Sequence, residues 1–197
     1  MVRIAVTGGL ACGKSKVGEL LVARGVLVCD TDAIAHDVIA PGHAAYRKIV
    51  AHFGRAILSM DGVIDRRRLA RIVFSDPVKL RFLNGITHPA VMRRVQRWLR
   101  EQETSGCRIA AVLIPLLFEA GLEKRWDAVV CVAAPGKRQY AWLKARGLGR
   151  RAAAARIAAQ MPLADKMVRA DYVIYNNGSV EVLRQQVDRI IDSISGE

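Results

Sequence analysis

No stretch of this chain is both long enough and apolar enough to cross a bilayer. The longest apolar run, Ile109 to Phe118, contains Pro115 and stops at Glu119, well short of the ~20 residues a spanning helix needs. The start does not read as a secretion signal either, because Met1-Val2-Arg3-Ile4-Ala5-Val6-Thr7 leads from a β-branched run directly into glycines. Cysteine is sparse. Cys12, Cys29, Cys107 and Cys131 form no Cys-x-x-Cys pair and no zinc spacing with histidine, which argues against a disulfide scaffold or structural zinc and for free thiols in a cytoplasmic protein. Acid is short beside base: 18 Asp and Glu face 31 Lys and Arg, a net charge of +13. Such an excess favours polyanionic ligands, whether nucleoside triphosphates, phosphorylated cofactors, nucleic acid or acidic membranes. Aromatics make up only 6% of the chain, and no aromatic-lined strand or nucleic-acid reader module is seen, so nucleic acid is not expected as the partner. Internal repeats and low-complexity tracts are also missing.

What remains suits one globular domain with insertions: 197 residues, 52% of them hydrophobic. Residues 8–15 read Gly8-Gly9-Leu10-Ala11-Cys12-Gly13-Lys14-Ser15, which fits Gly-x-x-x-x-Gly-Lys-Ser/Thr. The apolar run before it predicts a strand. The segment Lys16 to Arg24, with Val17, Leu20 and Leu21 at helical spacing and Gly25 as its stop, predicts a helix. Strand, glycine loop and helix form the context in which this motif binds phosphate. Gly8 and Gly13 let the chain curl, the loop amides and helix dipole face an anion, Lys14 supplies a mobile cation, and the Ser15 hydroxyl can ligate Mg²⁺. Gly9, Ala11, Cys12 and Lys16 complete the candidate ATP-binding loop. At a helix start the Cys12 thiolate would be favoured and open to oxidation; alternatively Cys12 is a small residue filling the loop.

Further on, strands are expected near 26–30, 108–114, 126–133 and 170–175. Helices are expected from Thr31, over Ala44–Phe53 and Arg66–Phe74, from Asp76-Pro77, after His88-Pro89, after Pro135-Gly136 through Arg146, over Arg150–Gln160, and at the C-terminal end. The alternation predicts an α/β fold with a parallel, doubly wound, five-stranded core sheet. Residues 31–107 form a long helical excursion and residues 143–169 a shorter one. Ligands of such sheets sit beyond the C-terminal strand ends. Asp30, Asp32 and Glu119 are expected at that edge with Lys14, where carboxylates can hold metal waters or take a proton from an attacking hydroxyl; Asp30 and Asp32 equally suit helix N-caps. Between 136 and 170, Lys137, Arg138, Lys144, Arg146, Arg150, Arg151, Arg156, Lys166 and Arg169 face Asp165 alone. A one-signed run with a glycine break at Gly147-Leu148-Gly149 fits a lid over a triphosphate.

Beyond the loop, this chain carries Asp30-Thr31-Asp32, Gly62-Val63-Ile64-Asp65-Arg66 with Val73-Phe74, His88-Pro89, Pro115-Leu116-Leu117-Phe118-Glu119, Arg156-Ile157-Ala158-Ala159-Gln160 and Asp171-Tyr172-Val173-Ile174 with Asn176-Asn177-Gly178. This set, in order along essentially the whole chain, resembles the dephospho-coenzyme A kinases. The resemblance implies a three-layer α/β/α P-loop kinase fold: a nucleotide-binding core (1–30, 108–142 and 170–197), a helical acceptor domain (31–107) and a lid (143–169). It implies ATP and Mg²⁺, with phosphorylation of the ribose 3′-hydroxyl of dephospho-CoA as the last step of CoA synthesis. It places Asp32 at the base position, Asp30, Arg66, His88 and Glu119 at acceptor-side or framework positions, and Arg146 at a lid arginine. Mg²⁺ would be held by Ser15 and, through water, by Asp32 or Glu119. The acceptor carries a diphosphate, so Arg66–Arg68 with Arg93, Arg94 and Arg97 are candidates to meet it.

The chain departs from that pattern in places that bear on lid closure and ATP affinity. Small residues, usually glycine and serine, are expected where Ala11 and Cys12 stand, and threonine where Lys16 stands. Trp142 replaces an arginine, Gly147 an aspartate, and Tyr175 the aspartate before Asn-Asn-Gly. Arg138, Trp142 and Arg146 share a helix face; Arg138 could cover for the missing arginine while Trp142 stacks on adenine or, alternatively, packs into the core. The rival readings are another small-molecule kinase on the same scaffold and a GTP switch. The switch is disfavoured by the lack of an Asn-Lys-x-Asp motif. Oligomeric state is open.

Overall fold

The protein is described by a computed structural model covering residues 1–196. The chain folds into two compact units, Met1–Cys29 with Gln102–Glu197 and Asp30–Glu101. The larger unit is built on a sheet of five strands, β1 (Val2–Gly8), β2 (Leu27–Asp30), β3 (Ile109–Leu113), β4 (Ala128–Ala133) and β5 (Tyr172–Tyr175), in the order β2-β3-β1-β4-β5. The pairs β1–β3, β1–β4 and β4–β5 are parallel, with Val6 opposite Leu113 on one side and Val130 on the other. Every residue of β4 is buried, which explains why its sequence is apolar without alternation.

Period-2 geometry assigns the faces. Ile4, Val6, Ala111, Leu113, Val130 and Val132 meet Val17, Leu20 and Leu21 of α1 (Lys14–Ala23) and Leu183, Val187 and Ile191 of α9 (Val180–Ser195) in one core. Each large side chain buried there contributes ~1.5–3 kcal/mol. The successive helices α6 (Gly136–Ala145), α7 (Arg150–Ala158) and α8 (Leu163–Arg169) belong to the same unit, and α8 lies against β1 and β4. The α8 segment is not expected from the sequence, because seven residues after Met161-Pro162 are too few to show a helical period. The charge run between 136 and 170 is mostly exposed, but Lys166 is fully buried.

The smaller unit holds α2 (Thr31–Val38), α3 (Ala44–Phe53), α4 (Arg66–Phe74) and most of α5 (Pro77–Thr104). Its core is Ile49, Ile57, Ile64, Leu69 and Val73. Asp65 caps α4 by accepting the Arg67 and Arg68 amides, and the Arg68 amide above all holds its carboxyl below the usual range. Asp76 caps α5 in the same way through Val78 and Lys79. One expectation is corrected here: no new helix begins after His88-Pro89, because α5 runs on through Pro89. Pro89 cannot donate to the Gly85 carbonyl, a loss of ~3 kcal/mol. Burial of Val91, Val95 and Leu99 beyond it outweighs that at ~1.5–3 kcal/mol each.

Candidate active site

The switch from β1 to α1 builds a tight loop of backbone, the candidate phosphate cradle. Gly8 has φ +142°, and a Cβ there would stand 2.1 Å from the Val132 carbonyl oxygen of β4; no other residue fits. Gly13 caps α1 with φ 96°, and a Cβ there would lie 2.3 Å from the Asn176 amide nitrogen. Asn176 braces the loop, its Nδ2 donating to the Cys12 carbonyl (3.0 Å) while its own N–H donates to Ala133 (2.7 Å). Gln139 of α6, also buried, donates through Nε2 to the Cys12 sulfur (2.7 Å). The Lys14 ammonium reaches back over the loop to the carbonyls of Gly8 (3.1 Å) and Gly9 (2.9 Å). Ser15 is exposed at the second position of α1, and the Lys16 ammonium is paired with Glu19 on the same helix (2.7 Å).

The cysteine at the head of α1 is not a reactive thiolate. Cys12 is fully buried. Desolvation pushes its thiol up, against the smaller opposing pull of Gln139 and Lys14. Cys131 is pushed up to about 11, chiefly by burial and then by Cys12. Of the two readings of Cys12, packing fits the structure.

On α6, Arg138 donates to the Gly178 carbonyl (3.0 Å) and its guanidinium lies 6.0 Å from the Trp142 ring centroid. Trp142 is half-buried against the sheet core. Arg146 is exposed at the C-cap, and Gly147 follows at φ +80°. Leu148 N–H donates to Leu143 and Gly147 N–H to Lys144, a Schellman stop that explains glycine at this position. The backbone of Tyr175 is held from both sides by the Gln186 amide, at 2.8 and 3.2 Å.

Glu119 accepts on Oε1 from Lys166 Nζ (2.7 Å) and from the Met161 N–H (3.0 Å). Burial raises its carboxyl pKa, but Lys166 and these hydrogen bonds lower it more, so the net shift is downward. The sequence offered no signal for Lys166 or Gln139 at the site. Asn176 was visible in the Asn176-Asn177-Gly178 motif, but not as a brace of the loop.

In the smaller unit, Asp30 is an N-cap, its carboxylate accepting the Asp32 N–H (2.8 Å), and Asp32 is exposed in the first turn of α2. Arg66 donates to the His36 ring. His88 is exposed in the middle of α5. Arg93, Arg94 and Arg97 line a cleft with Asp37 and His43, and Arg94 pairs with Asp37 at 3.6 Å. Lys14 and the loop, Glu119, Arg138, Trp142 and Arg146 thus share one unit; Asp30, Asp32, Arg66 and His88 share the other.

The dephospho-CoA kinase family model matches residues 2–181. A dephospho-CoA kinase of Carboxydothermus hydrogenoformans is 44% identical over 189 residues, covering 95% of this chain and 92% of the relative. That of Geobacillus kaustophilus is 45% identical over 192 residues, covering 95% and 94%. The chain belongs to the dephospho-CoA kinase family. Among solved structures, TT1252 from Thermus thermophilus aligns with TM-score 0.83 at 35% identity over 98% of this chain and 97% of that one. A shikimate kinase from Acinetobacter baumannii aligns with TM-score 0.54 at 17% identity over all of this chain and 94% of that one, a likeness of fold. The dephospho-CoA kinase expected from the residues is therefore the family found, on an α/β P-loop kinase fold. The GTP-switch reading is set aside. Among the described residues no helix is long and apolar enough to cross a membrane.

Proposed function

We propose that this dephospho-CoA kinase transfers the γ-phosphoryl group of ATP to the ribose 3′-hydroxyl of dephospho-CoA, completing CoA. The observation that carries this reading is the cradle: a loop whose glycines admit no side chain, braced from behind by Asn176 and Gln139, with Lys14 arched across it. Loop amides and the α1 dipole take up the negative charge of the phosphates, and Lys14 follows that charge as it shifts toward the leaving group. Asp32 orients the acceptor hydroxyl and accepts its proton. Arg146 spreads charge on the transferring group, an effect that can reach ~10³–10⁵ in rate for an aimed arginine. Arg138 and Trp142 flank the base, and the arginine cleft of α5 receives the acceptor diphosphate.

The donor set fits Mg²⁺. Among the described residues no cluster of three or more His, Cys, Asp or Glu could cage a metal. An exposed serine hydroxyl beside the loop lysine suits an ion that keeps most of its waters and borrows phosphate oxygens. Ser15, with Asp32 or Glu119, would hold it, and when bound it neutralises phosphate charge. The residues 31–107 serve as acceptor domain and 143–169 as lid.

Incubation with Mg-ATP and dephospho-CoA, followed by mass analysis, should show the acceptor gain one phosphate. A panel of nucleosides, nucleotides and shikimate should remain unmodified. Phosphorylation of a panel member in preference to dephospho-CoA would refute the acceptor.

A further inference from the structure

Lys166 is the largest fully buried side chain among the described residues, and its charge is not left inside without purpose. Its ammonium donates to the Pro115 carbonyl (3.1 Å) and to Glu119 Oε1 (2.7 Å). The same Pro115 carbonyl accepts the hydroxyl of Thr7 (3.4 Å), the residue just before Gly8. Glu119 Oε1 also accepts the Met161 N–H at the approach to α8. One cation therefore ties together the end of β1, the loop after β3 and the root of α8.

Two partners converge on one oxygen of Glu119. The bonds from Lys166 and from the Met161 N–H both fall on Oε1, while the side chain keeps 22% exposure. Lys166 itself has no exposure and cannot touch a ligand. A buried lysine that grips one carboxylate oxygen of a partly exposed glutamate fixes how that carboxylate is turned. We propose that Lys166 is a positioning residue, which locks Glu119 through Oε1 and so holds its carboxylate in one orientation toward the metal waters or the acceptor at the sheet edge. This inference rests on the reading of Glu119 as a site residue.

Partners that orient metal-site ligands typically change activity ~10–100-fold when removed. A double-mutant cycle on kcat tests the idea. Lys166→Met should lower kcat about 30-fold with the ATP dissociation constant unchanged. In a Glu119→Gln background, already impaired, the same change should cost threefold or less, because the group it positions is gone. Lys166→Gln, which keeps a donor for the Pro115 carbonyl, replaces Lys166→Met if that variant does not fold, with the same readings. Equal losses from Lys166→Met in both backgrounds would make Lys166 a structural anchor and overturn the proposal. So would wild-type kcat in the Lys166 variant. Full turnover of Glu119→Gln would instead remove Glu119 from the site, a separate failure visible in its own arm of the cycle. Phosphorylation of dephospho-CoA by the wild type in the same assay reports the underlying activity independently.

Discussion

Ala11 is the one non-glycine residue with positive φ among the described residues, at φ 56°. Its Cβ crowds the following carbonyl, which costs an L-residue ~1–2 kcal/mol in the left-handed region. Replacing it by glycine relieves that strain, but also gives the unfolded chain more freedom, a loss of ~0.4–1 kcal/mol. The difference predicts that Ala11→Gly stabilises the protein by roughly 0.5–1 kcal/mol. At ~2–4 °C per kcal/mol for a chain of this size, the melting temperature should rise by about 1–4 °C. Ala11→Val should move it the other way, because a β-branched side chain is still less tolerant of positive φ. Scanning calorimetry on the three proteins, with ATP absent so that binding does not shift the transition, reads both signs. A fall with glycine, or no fall with valine, would refute the strain at this position.

Four other outcomes are expected. Asp32→Asn should reduce turnover at least ~100-fold with ATP binding nearly intact, checked by single-turnover kinetics beside calorimetric titration, since loss of a positioned base typically costs ~10²–10⁴. Trp142→Ala should raise the Michaelis constant for ATP five-fold or more if the ring stacks on adenine, a contact worth ~1–3 kcal/mol; an unchanged constant would leave the ring its packing role alone. Cys12 and Cys131 should resist alkylation in the native protein at pH 8 and react on unfolding, read by intact mass, because both thiols are buried with raised pKa values. Glu119 has a lowered pKa in the folded protein, so its contribution to stability is present above the unfolded value of ~4.3 and fades as pH falls toward the folded one. The stability gap between wild type and Glu119→Gln should therefore shrink between pH 5 and pH 3, as measured by denaturant midpoints.

Much of the fold was legible because its signals are local. The β-branched run into Gly8, the Lys14-Ser15 pair and the spacing of Val17, Leu20 and Leu21 each lie within a few residues of the loop they specify. The helices over Arg66–Phe74 and from Asp76-Pro77 likewise show in their own first residues. Other features misled for equally physical reasons. Pro89 reads as a start because proline disfavours a helix interior locally, whereas burial on the far side of it decides the outcome. Lys166 reads as one more lid cation because a count of charges along a chain carries no information on depth.

The order of residues alone announced the glycine loop between strand and helix, the alternation of strand and helix and the family, since each depends on neighbours in the chain. Tertiary packing alone decided that Asn176 and Gln139 brace that loop across 164 and 127 residues, that Cys12 is a buried wedge, and that a lysine in a surface-looking helix grips Glu119 from inside. Those roles come from groups brought within hydrogen-bond reach and out of water by the closing of the sheet, and no linear pattern encodes either distance or burial.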